Sequence, residues 1–213
     1  RRVVIIDAAD EMNPSAANAV LKVLEEPPKN TYLLLVCHQP ARLLPTIRSR
    51  CRVLRLAELS AADLGAAVAA ASGDPVEADE IASIAALCGG SVGRALHMRA
   101  TGGFETYGHI LGVFASLPRF DRLQAIRLAG SVSGKDSAQR LDLIVSLTEF
   151  LLFRLARTGA TGEPPEEAVP GESETLRRLS PDPISARRWA TVAEGLGADI
   201  RRGAAVNLDP GTL

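Results

Sequence analysis

Two short, uninterrupted apolar runs, residues 3–6 and 32–37, flank a stretch whose apolar positions recur at helical spacing. No other feature constrains the fold as much. A continuous aliphatic run is the pattern of a strand covered on both faces, as in a parallel sheet, and parallel neighbours need a crossover helix between them. Asp7 ends the first run. Asn13 is placed to cap the crossover helix, and Pro14 stands at its first position, where a missing N–H costs nothing. Ala17, Val20, Leu21 and Leu24 then share a face until Pro27-Pro28 stops the helix. Residues 41–47 predict a short helix or turn, and residues 53–56 a third strand. Three strands are too few for an independent doubly wound domain. A chain that enters a strand after two arginines is therefore expected to be a piece of a longer protein.

From residue 61 the alternation stops. Residues 61–71, 79–87, 92–99 and 104–114 predict short helices, residues 137–156 a long helix with a broad apolar face, and residues 184–202 a final amphipathic one. Residues 158–174, rich in Gly, Pro and Glu, predict a mobile loop, and residues 207–210 an extended tail. The fold class is thus α/β followed by all-α. Apolar residues at 46% with aromatics at 4% predict cores of Ala, Leu, Val and Ile. Charge divides the chain as well. Residues 1–57 carry nine Lys/Arg against five Asp/Glu, residues 58–105 two against seven, and residues 106–213 thirteen of each. Such shifts are consistent with separate domains.

Composition excludes several function classes. A formal charge of -1 makes no global case for nucleic-acid binding. Cys37, Cys51 and Cys88 are odd in number and contain no C-x-x-C pair, which argues against a disulfide framework and predicts a reducing, cytoplasmic setting. His38, His97 and His109 add no ligand spacing, so no metal site is expected within this chain. No apolar run is long enough to span a bilayer, and neither a P-loop nor a G-x-S-x-G elbow is present.

Four features remain. Asp7 at a strand tip is the position from which a carboxylate helps hold magnesium beside phosphates, or is simply a turn former; the next residue, Ala8, offers no proton acceptor. Arg42, Arg48, Arg50, Arg52 and Arg55 form a basic cluster with no acid among them, suited to phosphate oxygens or to a solvated turn. Glu25 and Glu26 oppose the dipole at the end of their helix, at a cost of about 0.3 to 1 kcal/mol each if exposed. Arg94 falls in the first turn of a helix opened by Ser91.

Taken in order, the strand ending at Asp7, the helix containing Asn18-Ala19-Val20-Leu21-Lys22, the Glu25-Glu26-Pro27-Pro28 motif, the strand ending at Cys37 and Ser49-Arg50-Cys51 resemble the bacterial DNA polymerase III clamp-loader family. The less specific Gly90 to Leu96 pattern and the helical remainder extend the resemblance. It implies a partial AAA+ nucleotide-binding-type domain at 1–57, a small helical lid at 58–107 and a helical collar for oligomerisation at 108–213. It implies that Arg50 acts as an arginine finger in trans on ATP and Mg held by a neighbouring subunit. Asp7 takes the metal-associated acidic position, Cys37 the place of a polar sensor and Arg94 that of the lid sensor arginine, all vestigial or weak here.

Motor subunits follow the strand Asp with Glu, so Ala8 resembles the family's generally silent member. The resemblance therefore implies no intrinsic ATPase in this chain and no autonomous cofactor, within an assembly that serves DNA polymerase III nucleotidyl transfer. Zinc is expected only upstream of the matched motifs. The implied partners are motor and clamp-opening subunits, the sliding clamp and primer-template DNA. The alternatives are an ATP-hydrolysing motor paralogue and a helical DNA-binding or scaffold module with no nucleotide role.

Overall fold

The first apolar run forms β1 (Arg2–Ile6), and the crossover helix α1 (Pro14–Glu25) returns the chain to β2 (Thr31–Leu35). The two strands pair in parallel, from Arg2 opposite Thr31 to Ile6 opposite Leu35. Asn13 Oδ1 accepts from the Ala16 amide at 2.8 Å, and Pro14 follows as the first helical residue, so α1 begins where local capping chemistry dictates. A 3-10 turn at Pro40–Arg42 and the single-turn α2 (Pro45–Arg48) stand where one helix or turn over 41–47 was expected; the break falls at Leu43 and Leu44, whose extended backbone precedes Pro45. Ile47 is fully buried and anchors α2.

The computed structural model describes residues 1–132 and 137–205. They fall into two compact units, Arg1–Leu56 and Ala57–Leu213. Residues 53–56 form no strand: Val53, Leu54 and Leu56 are exposed, and no ladder neighbour among the described residues pairs with them. A strand is held by the hydrogen bonds of its neighbour, which hydropathy does not supply.

The second unit is helical: α3 (Ala61–Ser72), α4 (Ala78–Cys88), α5 (Val92–Thr101), α6 (Gly103–Ala115), α7 (Arg122–Gly130), α8 (Ser137–Thr161), α9 (Glu172–Leu179) and α10 (Pro183–Ala205). Ser60, Ser91 and Asp121 cap α3, α5 and α7 through their side-chain oxygens. Gly90, at φ 71°, turns the chain into α5 where a Cβ would lie 2.6 Å from the Leu59 nitrogen. One apolar cluster runs from Leu64, Val68 and Ile84 through Tyr107 and Ile110 to Leu151, Leu155 and Leu176. No single helix among the described residues is long and apolar enough to cross a membrane.

The stretch expected to be a mobile loop over 158–174 is fastened instead. Helix α8 runs on to Thr161, and α9 starts at Glu172, which is fully buried. Arg154 Nε donates to Glu172 Oε1 at 2.6 Å, the Tyr107 hydroxyl donates to the same oxygen, and the Ala168 amide donates to Oε2 at 2.7 Å. Ser83 Oγ donates to the Ala168 carbonyl at 2.6 Å. A glutamate counted as solvated by composition is thus the hub of a satisfied internal network. Residues 207–210 lie outside the described residues.

Candidate functional site

Parallel pairing brings the carboxyl ends of β1 and β2 to one edge, where open α/β sheets place their ligands. Asp7 follows β1 and Cys37 follows β2, so the sheet gathers these two expected site residues at that edge. The Val36 amide donates to the Ile6 carbonyl at 2.9 Å and the Ala9 amide to the Val36 carbonyl at 2.7 Å, fixing the strand exits. Asp7 is exposed, with His38 Nε2 4.0 Å from its carboxylate. The Cys37 thiol is pushed up by desolvation and by the facing Asp10 charge, which keeps it a neutral thiol rather than a thiolate.

Asp10 was not singled out by sequence reasoning. It sits in the 3-10 turn Ala9–Glu11, and its two carboxylate oxygens accept from the His38 and Gln39 amides at 3.2 and 3.0 Å. The signal that could have found it is an acid one turn beyond a strand tip, where side chains commonly satisfy loop amides. With Asp10 committed to backbone and Ala8 presenting a methyl group, no carboxylate follows Asp7 directly as a base for water. Among the described residues no group of three or more His, Cys, Asp and Glu could hold a metal ion.

The arginine motif is built differently. Helix α2 is pinned by Ile47, the Ser49 amide and hydroxyl both turn back onto it, to the Pro45 carbonyl at 2.9 Å and the Thr46 carbonyl at 3.1 Å, and the Arg50 amide bonds the Ile47 carbonyl at 3.0 Å. This carries Arg50 out on a short rigid turn. Its Nη1 donates to the Thr46 carbonyl at 2.9 Å, and its Nη2 forms an ion pair with Glu25 Oε1 at 2.9 Å. Cys51 closes the turn half-buried, its thiol pushed up by desolvation. Glu25 is the last residue of α1 and Glu26 its cap, the Glu26 amide donating to Lys22, before Pro27 and Pro28 end the helix. The expected dipole penalty at Glu25 is therefore met by a cation, which also suits the negative end of α1.

Arg42, Arg48, Arg52 and Arg55 are exposed around Arg50 and have no acidic partner among the described residues. Arg94 belongs to the other unit. It is exposed in the first turn of α5, its amide donating to Ser91 Oγ at 3.3 Å, and its charge partly offsets the burial that pushes the Cys88 thiol up to about 11.

Comparison with known proteins points the same way. The sequence profile of the family described as DNA polymerase III, delta subunit, matches residues 1–60. The chain is 50% identical over 93 residues to DNA polymerase III subunit delta' of Pseudomonas aeruginosa, covering 43% of this chain and 27% of that protein. It is 60% identical over 50 residues to the subunit delta' of Yersinia pestis, covering 24% of this chain and 15% of that protein. It is 52% identical over 54 residues to that of Bacillus subtilis, covering 25% and 16%. The matched stretch thus spans about a quarter of the first relative's length and less of the others.

Proposed function

We propose, from the premise that this chain is of the bacterial DNA polymerase III clamp-loader family and is most like its delta-prime subunit, that it completes an ATPase site on a neighbouring subunit rather than running one of its own. The observation that carries this reading is the contrast between two motifs. The strand-tip motif of Asp7 lacks a following base and has its next acid, Asp10, tied to backbone. The Ser49-Arg50-Cys51 motif is intact, and it presents a guanidinium from a turn anchored by a buried side chain.

In this role Arg50 donates N–H bonds and positive charge toward phosphate oxygens across a subunit boundary, where a preorganised cation is worth about 10³ to 10⁵ in rate in well-studied cases. The Nε–H of Arg50, which has no partner among the described residues, is available for such a contact. Asp7, Cys37 and Arg94 are read as remnants of a nucleotide site. Residues 58–107 act as the lid, and residues 108–213 as the collar that packs against other subunits. ATP binding at the junctions favours the assembly that opens the sliding clamp, and primed DNA triggers release.

The test is steady-state ATP turnover of the complex reconstituted from full-length protein, motor and clamp-opening subunits, sliding clamp and primed DNA. Arg50→Ala is expected to assemble and to lower clamp-stimulated turnover by at least about tenfold. An unchanged rate would remove Arg50 from the mechanism. Robust turnover by the isolated full-length protein, abolished by changing Asp7, would favour the motor reading instead.

A further inference from the structure

Arg50 is a long side chain on an exposed turn, and a free arginine of this kind spreads over many rotamers, about 2 kcal/mol of rotamer entropy that any productive contact must overcome. Here it is held at two nitrogens by its own chain. The Thr46 carbonyl takes Nη1 at 2.9 Å, and Glu25 Oε1 lies 2.9 Å from Nη2. Both tethers stand on fixed supports. Thr46 belongs to α2, whose Ile47 is fully buried, and Glu25 is the terminal residue of α1, where the helix stops against Pro27 and Pro28. The charges also agree, because the carboxylate and the negative end of the α1 dipole attract the guanidinium together. Two glutamates close α1, yet Glu25 alone of the pair reaches an arginine, and Arg50 alone of the basic cluster is reached by an acid among the described residues.

We propose that Glu25 is the positioning residue for Arg50: it holds the guanidinium plane so that the edge carrying Nε–H, and the Nη hydrogens not directed at Thr46 and Glu25, point outward to anionic oxygens supplied by another subunit. The inference rests on Arg50 acting in trans as proposed above, and it adds that this action is prepared inside the free subunit. Glu25 touches no phosphate in this arrangement. The half-exposed pair is weak enough, of the order of surface ion pairs, to bias the rotamer without sequestering the arginine.

The experiment is the same reconstituted ATPase, with Glu25→Ala, Glu25→Gln, Arg50→Ala and the double variant Glu25→Ala/Arg50→Ala in full-length protein. Glu25→Ala should lower kcat about two- to fivefold with KM for ATP unchanged, since only the preparation of a transition-state contact is lost. Glu25→Gln keeps an oxygen acceptor without the charge and should fall between Glu25→Ala and the parent. The double variant should be no slower than Arg50→Ala, because Glu25 acts only through Arg50. Arg50→Ala impaired with Glu25→Ala at the parent rate, or faster than it, overturns the positioning role alone. So does a double variant slower than Arg50→Ala by the full Glu25→Ala factor. Arg50→Ala at the parent rate overturns the arginine-finger reading and this inference with it. Where Glu25→Ala does not assemble, a Glu25→Gln rate equal to the parent's overturns the positioning role.

Discussion

Asp10 joins the turn after β1 to the loop after β2 through two amide hydrogen bonds, and its ionisation sets when that joint holds. Desolvation alone would push its pKa up. The amides of Asp10, His38 and Gln39, with the His38 charge, outweigh it and hold the carboxyl below its ordinary value of 3.8. A carboxyl depressed in the folded state contributes stability that is present above its ordinary value and is lost as pH falls through the native one. Hydrogen-exchange protection of the His38 and Gln39 amides should therefore persist through about pH 4 and fall away below it, whereas in Asp10→Asn that acid-side step should vanish. Identical protection profiles in the two proteins would show that the joint is held by something else. Other residues at the site were more legible. Asn13 and Pro14 announce the start of α1 because capping is chemistry between near neighbours. The use of Glu25 was not legible, since its partner comes from a different helix and depends on how α2 is anchored.

At the level of elements, period and punctuation identified β1, β2, α1 and the helices with continuous apolar faces. They failed where partners outside the segment decide the state. Residues 53–56 have strand composition but no ladder neighbour among the described residues, and the 158–174 stretch is irregular only over 162–171, with α8 running to Thr161 and α9 opening at Glu172. The second case has an identifiable cause. Glu172 opens α9 fully buried, and Arg154 of α8, Tyr107 of α6 and the Ala168 amide satisfy its oxygens, so the connection is stapled from three sides. Burial and the adjacent Glu172 charge together push the Tyr107 hydroxyl far above its ordinary value, so it remains a donor across the accessible pH range. Removing that donor leaves Glu172 Oε1 still paired with Arg154, and Tyr107→Phe should cost about 1 kcal/mol in chemical unfolding. Glu172→Ala strands a buried guanidinium and should cost about 3 to 5 kcal/mol. Equal costs for the two variants would mean that the pair is not the hub of the staple.

Across the whole molecule the two units differ in what holds them. The helical unit has one continuous core, with Leu64, Val68, Ile84, Tyr107, Leu151, Leu155 and Leu176 almost wholly withdrawn from solvent. The amino-terminal unit has a two-stranded sheet whose Val3, Ile5, Tyr32 and Leu34 remain more than half exposed, while Ala9, Ala17 and Ile47 are its only buried apolar residues. Burial stabilises at roughly 25 cal/mol per Å² of apolar surface, and a lone pair of strands is marginal in water. The unit that presents Arg50 is therefore the one with the smaller reserve of stability. In hydrogen exchange on this chain alone, the β1 and β2 amides should open at least roughly a hundredfold more readily than those of α8 around Leu151 and Leu155. Protection of the strands equal to that of α8 would show that the exposed apolar faces are compensated within the chain. The expected difference would place Arg50 on the less stable of the two units, so that its presentation depends on the supports its own unit supplies, Ile47 beneath α2 and Glu25 at the end of α1.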